Sequence, residues 1–185
     1  MAKRDLIRNI ILLIIGILGF IALKIWVFEI HQVKGTEANH FLEQGQRVLV
    51  MKTQKPKYGD FVLYQVNGEE HIGRVVAKAG DAVTFMDDVF YLNNQTKSED
   101  YLASAREKYL ASPQNIGYFT HDFTLSSLPQ ASSDRVLKNH YLILNDNRQD
   151  TKDSREYGVI AKKQVRGVID FRLTPLDKFG FIENK

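Results

Sequence analysis

The sequence predicts a mainly β protein of antiparallel strands, preceded by one N-terminal transmembrane helix. A long apolar run occupies residues 10–28, near the start of the chain. The remainder contains short runs of β-forming residues, separated at close spacing by turn signals. Few stretches have the length and periodicity of a helix. We therefore expect a membrane anchor over residues 1–28 and one β domain over residues 29–185.

The apolar run has the length of a membrane-spanning helix. Only Lys24 interrupts it, close to its outer end, where a long basic side chain reaches the headgroups. At about 1.5 Å per residue, such a helix spans about 28 Å, close to the hydrocarbon thickness of about 30 Å. Basic residues precede the run, namely Lys3, Arg4 and Arg8, which favours a cytoplasmic N-terminus and an extracellular domain at the cell membrane. The alternative is a cleaved signal peptide, but no small-x-small cleavage site follows Phe28.

The rest of the chain carries further strand and turn signals. The runs 46–51 and 61–66 predict strands, and Asn67-Gly68 predicts a hairpin turn. Residues 82–92 predict two short strands on either side of a turn. Residues 93–135 are polar and weakly patterned, and we interpret them as a variable insertion that contains one short amphipathic helix.

Composition excludes several classes of function. The chain has 25 Lys and Arg against 22 Asp and Glu, a net charge of +3, and no basic tract with interleaved aromatics, so a nucleic-acid partner is not expected. It has no cysteine, which excludes disulfides and thiolate metal sites. The histidines lack the spacing of metal ligands: His31, His40, His71, His121 and His140. We predict neither a metal nor a cofactor.

A polar segment, residues 145–158, lies between two predicted strands. Its short polar side chains can satisfy backbone groups that a sheet leaves free, and its opposite charges can pair. A calcium loop is an alternative, because carboxylates recur here. The segment lacks the Asp-x-Asp-x-Asp-Gly spacing and the glutamate twelve positions along that such a loop needs.

The same segment resembles a box of the type I signal peptidases, peptidase family S26. The family pattern is Gly-Asp-Asn-Arg-x-x-Ser-x-Asp-Ser-Arg-x-x-Gly, and this chain departs from it at Asn145 and Thr151. The matching residues, which we assign to a structural motif of the family, are Asp146, Asn147, Arg148, Asp153, Ser154, Arg155 and Gly158.

Three more family boxes occur in the same order as in the family. Residues 33–42 resemble Val-x-Gly-x-Ser-Met-x-Pro-Thr-Leu, residues 59–62 resemble Gly-Asp-x-Val, and residues 73–81 resemble Lys-Arg-Val-x-Gly-x-Pro-Gly-Asp. The family's proline falls on His40. The resemblance implies an antiparallel β fold around a groove that binds an extended peptide as an added strand.

Two departures fall on the positions of the family's catalytic pair. The nucleophilic serine falls on Glu37 and the general-base lysine falls on Gly73. An ionised carboxylate has no proton to lose, and glycine has no side chain that could accept one. We therefore predict no catalytic residue and no enzymatic activity. The expected peptide groove comprises Gly35, Thr36, Glu37, Ala38 and Gly73.

The resemblance is strongest to the non-catalytic signal-peptidase-like proteins of Gram-positive pilus operons. It implies an accessory or chaperone role in sortase-mediated pilus assembly, with a pilin subunit or the sortase as the partner. The alternative is an active type I signal peptidase with an unusual catalytic residue, for which Thr36 and Lys34 are the nearest pair. A third possibility is a structural membrane protein whose groove has no function.

Overall fold

The structure is a computed structural model that describes residues 2–39 and 41–182; Met1, His40 and residues 183–185 lie outside the described part. The first helix, α1, spans Ala2–Trp26. Its 23-residue stretch Arg4–Trp26 has the length and composition of a membrane-spanning helix, and its apolar side chains are exposed. This agrees with the predicted anchor, while its orientation in a membrane stays a prediction.

The described residues after α1 form twelve strands and two further helices. The strands are β1 Phe28–Gln32, β2 Arg47–Met51, β3 Phe61–Val66, β4 Glu69–Lys78, β5 Val83–Met86, β6 Val89–Leu92, β7 Gln95–Lys97, β8 Phe123–Thr124, β9 His140–Leu144, β10 Ile160–Ala161, β11 Val165–Thr174 and β12 Gly180–Phe181. The helices are α2 Ala103–Ala111 and α3 Ser154–Tyr157.

The larger sheet is antiparallel and has the strand order β1-β2-β11-β3-β4-β9-β10, with β12 paired to β11. The long strand β11 pairs with β2 on one side and β3 on the other. Gly167 on β11 allows the backbones to approach, because a Cβ there would lie 2.7 Å from the carbonyl oxygen of Met51. Strand β4 lies between β3 and β9, and it carries Gly73 and Arg74.

The smaller sheet has the antiparallel order β7-β6-β5-β8. Its β5–β6 hairpin turns at Asp87 and Asp88, both of which adopt positive φ. The Asp88 carboxylate accepts hydrogen bonds from the backbone N–H groups of Phe119 and Thr120, which joins this turn to the segment before β8.

Apolar residues of the sheets form several buried clusters. One joins the smaller sheet to β4 and β9 through Val76, Phe85 and Leu142. A second packs Val33, Leu42 and Ile72 together beside the first strands. A third, around Tyr64 and Ile143, fills the space behind β4.

The prediction of a mainly antiparallel β protein with an N-terminal apolar helix is confirmed. The predicted hairpin over residues 82–92 is β5–β6, and residues 93–135 contain β7, α2 and β8. The domain boundaries, including the proposal that residues 93–135 are a variable insertion, stay predictions.

Truncation of a core leucine tests the packing of the two sheets. Leu142 is fully buried, and Leu142→Ala removes its contacts with β5 and β6 and leaves a cavity, so the free energy of unfolding should fall by about 2–5 kcal/mol. Leu110→Ala, at a largely exposed leucine on α2, should change it by less than about 0.5 kcal/mol. Urea unfolding of the detergent-solubilised chain, followed by circular dichroism, measures both. Equal losses would contradict the packing.

Candidate active site

A short 3₁₀ turn, Gly35–Glu37, follows β1 and packs against β4. Its entry is fixed by a backbone hydrogen bond from Val33 to Gln46 at 2.9 Å. Its exit is fixed by the Asn39 side chain, whose oxygen accepts the N–H groups of Phe41 at 2.8 Å and Leu42 at 3.0 Å. These contacts hold Thr36 and Glu37 beside the start of β4.

Glu37 is buried although it is charged. Its Oε2 accepts a hydrogen bond from the backbone N–H of Lys34 at 2.8 Å and lies 2.8 Å from Nε2 of His31. Its Oε1 has no hydrogen-bond partner among the described residues, and the Lys34 ammonium lies 3.9 Å from it. The carboxylate is therefore hydrogen-bonded through Oε2, whereas the described contact of Oε1 is the longer ion pair with Lys34.

Gly73 lies where β4 has no room for a side chain. A Cβ at this position would be 2.6 Å from Cγ2 of Ile143 and 3.2 Å from the carbonyl oxygen of Leu144. The Tyr64 ring lies 3.4 Å away on the same side. The space that a longer side chain at position 73 would need is thus occupied by Ile143 and Tyr64.

The next residue, Arg74, forms a fully buried ion pair with Asp146. Its Nε donates to Oδ1 at 2.8 Å and its Nη2 donates to Oδ2 at 2.7 Å. Nη1 donates to the carbonyl oxygen of Gly59 at 2.8 Å. The guanidinium also lies 4.1 Å from the ring centroids of Phe61 and Tyr101. Two hydrogen bonds in parallel with flanking rings make this a strong contact.

The motif residues of the polar segment hold its own backbone in place. The Asp153 carboxylate caps α3 by accepting the Arg155 N–H at 2.9 Å, and it also accepts the Asn145 N–H at 2.8 Å. Arg155 donates to the carbonyl oxygens of Arg148 and Asp150, at 2.6 Å each. Ser154 is buried and its hydroxyl accepts the Ile143 N–H at 2.9 Å, so this serine has a structural role.

Two more motif residues tie the segment to distant parts of the chain. The buried Arg148 guanidinium donates to the Glu99 carboxylate, which precedes α2. Gly158 has φ of 77° and lies so close to Pro129 that a Cβ would be 2.6 Å from its carbonyl oxygen. Only glycine satisfies both the conformation and the space.

These elements enclose a small cavity of about 70 Å³, which we call the Thr36 cavity. It is lined by Thr36, Glu69, Glu70, His71, Ile72, Asn145, Asp150 and Lys152. A recess of about 10 Å³ adjoins it and is also lined by Thr36, Ile72, Asn145 and Asp150, together with Glu37 and Asp146. The cavity thus lies between the 35–37 turn, the start of β4 and the polar segment.

Two residues that line the Thr36 cavity, Thr36 and His71, carry a hydroxyl and an imidazole. Thr36 is exposed, and His71 is half-buried against the rings of Tyr64 and Tyr157. Burial lowers the pKa of His71 from its usual value of 6.5, which leaves the imidazole neutral at neutral pH. A neutral imidazole can accept a proton from a hydroxyl.

Lys34 lacks the properties of a general base. Its ammonium donates to Oε2 of Glu70 at 3.1 Å, and this hydrogen bond raises its pKa above the usual value of 10.5. The amine therefore stays protonated at neutral pH, where a base must be unprotonated. Of the pair that the sequence suggested for an active enzyme, Thr36 remains chemically suitable and Lys34 does not.

The sequence matches the family described as "Signal peptidase, peptidase S26" over residues 5–174, which is most of the chain. The chain belongs to the S26 signal peptidases. It is 29% identical to signal peptidase IB of Staphylococcus aureus strain MRSA252 over 186 residues, covering 97% of this chain and 95% of that protein. It is 30% identical to signal peptidase I of Bacillus caldolyticus, covering 86% of each.

A solved structure agrees with this assignment. The crystal structure of a signal peptidase I from Enterococcus faecalis V583 superposes with a TM-score of 0.56 at 35% identity, covering 65% of this chain and 98% of that one. The predicted signal peptidase fold is confirmed. The pilus-operon subtype that the sequence suggested is not confirmed by these relatives.

The prediction that the chain is not an enzyme is wrong. Its relatives are named signal peptidase I and signal peptidase IB, and proteins so named are enzymes. That prediction rested on two positions alone, Glu37 and Gly73, whereas other residues can supply a hydroxyl and a base. The assignment of Glu37 and Gly73 to the family's catalytic pair stays a prediction from sequence, as does the groove formed by Gly35, Thr36, Glu37, Ala38 and Gly73.

The structure adds site residues that sequence reasoning missed. His31 contacts Glu37, Glu99 contacts Arg148, and His71 and Asp150 line the Thr36 cavity. No local sequence pattern identified these residues, because their contacts join segments that are distant along the chain or depend on how the chain folds.

The Arg74–Asp146 pair should be essential for this signal peptidase fold. Arg74→Met or Asp146→Leu leaves one buried charge without its partner and should lower the free energy of unfolding by about 3–5 kcal/mol. The double variant leaves neither charge, so its loss should be smaller than the sum of the two single losses. Urea unfolding of the three variants in detergent measures the coupling.

The exposed pair of Lys178 and Glu43 serves as the matched control, with the substitutions Lys178→Met and Glu43→Leu. Its coupling should be much weaker, because solvent screens both charges. Strictly additive losses at Arg74 and Asp146 would contradict the account.

Proposed function

We propose that this chain is a membrane-anchored endopeptidase that cleaves signal peptides from preproteins, in line with the name signal peptidase that its relatives carry. The observation that carries the proposal is that Thr36 and His71 line the same small cavity, beside the turn where the family places its nucleophile, and that burial lowers the pKa of His71. In this proposal α1 is the anchor and the β domain acts outside the cytoplasm.

The proposed chemistry assigns the nucleophile to Thr36 and the general base to His71. The Thr36 oxygen attacks the scissile carbonyl carbon while the imidazole takes the hydroxyl proton. The imidazolium then gives this proton to the leaving amine as the peptide bond breaks. Water hydrolyses the resulting ester, which releases the new carboxylate and restores the Thr36 hydroxyl.

The role of Glu37 in this proposal is to support the site. Its carboxylate binds the Lys34 backbone N–H and contacts His31, which fixes the turn that carries Thr36. The side chain has no proton to lose and is almost fully buried, so nucleophilic attack by it is not part of the mechanism.

The predicted role in pilus assembly, with a pilin subunit or the sortase as the partner, stays a prediction from sequence. The relatives described above are named only as signal peptidases, and they favour a peptidase over an accessory protein.

Cleavage of a labelled preprotein by the detergent-solubilised chain tests the proposal. Wild type should release the shortened product, and Thr36→Ala and His71→Gln should each reduce kcat by at least about a hundredfold, because each removes one catalytic group. Thr96→Ala, a hydroxyl on the exposed strand β7, is the matched control and should retain the wild-type rate.

The pH profile provides a second readout. The rate should fall as the pH decreases through the pKa of His71, below its ordinary value of 6.5, because protonation removes the base. The absence of cleavage by wild type, or full activity of Thr36→Ala, would overturn the proposal.

A further inference from the structure

A second cavity, which we call the β7 cavity, lies between the two sheets and has a volume of about 500 Å³. Its lining includes Val75 and Val76 of β4 and Phe90 and Leu92 of β6. None of the described residues that line it also lines the Thr36 cavity or the recess beside that cavity. Its size lies within the range of ligand sites, about 300–1,000 Å³, and the proposed cleavage chemistry makes no use of it.

The β7 cavity has an apolar interior and a polar mouth. Phe90 is buried, whereas Gln95 and Lys97 of β7 are exposed. Tyr58 also lines the cavity, and its ring is held in place because its hydroxyl donates to the Asp81 carboxylate at 2.8 Å. An apolar group that entered the cavity would leave water, while polar groups attached to it would stay at the mouth.

Strand β7, which borders the mouth, is an edge strand. It pairs with β6 on one side and with no described strand on the other. Gln95 lies opposite Leu92 and Lys97 lies opposite Phe90, so these side chains share the cavity face, and Thr96 points to the other face. An edge strand offers unpaired N–H and C=O groups to an added strand. A peptide added to β7 would direct alternate side chains toward the cavity face.

Two cations beside the cavity lack strong partners. A side chamber of about 150 Å³ shares Lys97 and Glu99 with the cavity and is also lined by Arg106. Lys97 has neither an ion pair nor a side-chain hydrogen bond among the described residues. Arg106 donates no hydrogen bond within the same part of the chain, and its Nη2 lies 4.0 Å from Oε2 of Glu99.

The carboxylates of the chamber, in contrast, already accept hydrogen bonds. Asp88 accepts two backbone N–H groups, Glu99 accepts the Arg148 guanidinium and Asp100 accepts the Ser98 hydroxyl. The donors that remain available at the mouth therefore belong to cations. A ligand whose charge complements them carries a carboxylate next to its apolar part.

We propose that β7 binds an extended peptide segment of a protein partner as an added strand. A bulky apolar side chain of the segment fills the β7 cavity, and a carboxylate of the same segment binds Lys97 and Arg106. The carboxylate belongs either to an acidic side chain or to the C-terminus of the peptide, since both present the same two acceptor oxygens. This inference does not depend on the proposed function, because the two cavities share no lining residue.

Binding of labelled peptides to the full chain in detergent, followed by fluorescence anisotropy, tests the proposal. The parent peptide has an amidated C-terminus, a phenylalanine and, two positions later on the same face, a glutamate. Replacing the phenylalanine with alanine should weaken binding at least about tenfold, because the cavity is left unfilled. N-methylation of alternate backbone amides should also weaken binding at least about tenfold, because an added strand needs its N–H groups.

Two further peptides identify the source of the carboxylate. Both replace the glutamate with glutamine; one keeps the amidated C-terminus, and the other has a free C-terminal carboxylate at the end of the same sequence. The parent or the free-carboxylate peptide should bind about tenfold more tightly than the neutral peptide, and the tighter of the two identifies the source.

Variants at the mouth test the cavity from the side of the protein. Gln95→Trp places a large ring on the cavity face of β7 and should reduce the affinity for the parent peptide at least about tenfold. Thr96→Trp is the matched control, because the same ring lies on the opposite face of the same strand, and it should leave the affinity unchanged. Thermal unfolding followed by circular dichroism verifies that both variants are folded.

The charges are tested separately. Lys97→Gln and Arg106→Gln should each reduce the carboxylate-dependent part of the affinity about tenfold. Lys108→Gln removes the same charge from an exposed position on α2 and should have no effect.

Equal affinity for the phenylalanine and alanine peptides would overturn the proposal, as would equal effects of Gln95→Trp and Thr96→Trp. A carboxylate preference that survives both Lys97→Gln and Arg106→Gln would do the same. The outcomes are separate from those of the proposed function. Binding at β7 without cleavage of a preprotein would overturn the peptidase and keep this site, whereas cleavage without phenylalanine-dependent binding would do the reverse.

Discussion

The buried ion pair between Arg74 and Asp146 joins two of the three chain segments that form the candidate site. Arg74 belongs to the central strand β4 and Asp146 to the polar segment after β9. Burying two charges is costly, and it is tolerated only when geometry and hydrogen bonding are good. Here each carboxylate oxygen accepts one N–H, the Gly59 carbonyl accepts a third, and two aromatic rings flank the guanidinium. The walls of the Thr36 cavity keep their spacing because this contact fixes β4 against the polar segment.

The side chains at positions 37 and 73 take no part in the contacts that hold β4 against the polar segment. Ile143 occupies the space that a side chain at Gly73 would need. The Glu37 carboxylate contacts His31 and accepts the backbone N–H of Lys34. Neither arrangement disturbs the ion pair or the capped segment. The fold is that of a signal peptidase, and the residues that line the Thr36 cavity include Thr36, which has a hydroxyl, and His71, which has an imidazole.

The sequence predicted the features that depend on local pattern. The apolar-rich run that became β3, the Asn67-Gly68 turn and the polar composition of residues 145–158 each reflect a preference within a few residues. Both Arg74 and Asp146 were recognised as motif members, but their pairing across 72 positions was not. Likewise, Glu99 comes from a segment with no recognisable motif, and yet it binds the buried Arg148. Such contacts depend on strand register and packing, which no local pattern encodes.

The most direct test of the central claim is to trap the covalent intermediate. The detergent-solubilised chain would be mixed with a substrate peptide, quenched in acid and digested with trypsin, and the acylated fragment would be located by mass spectrometry. We expect an acyl group on the tryptic fragment 35–47, which follows Lys34 and ends at Arg47, and on Thr36 within it. An acyl group on any other residue, or an adduct that persists in Thr36→Ala, would contradict it.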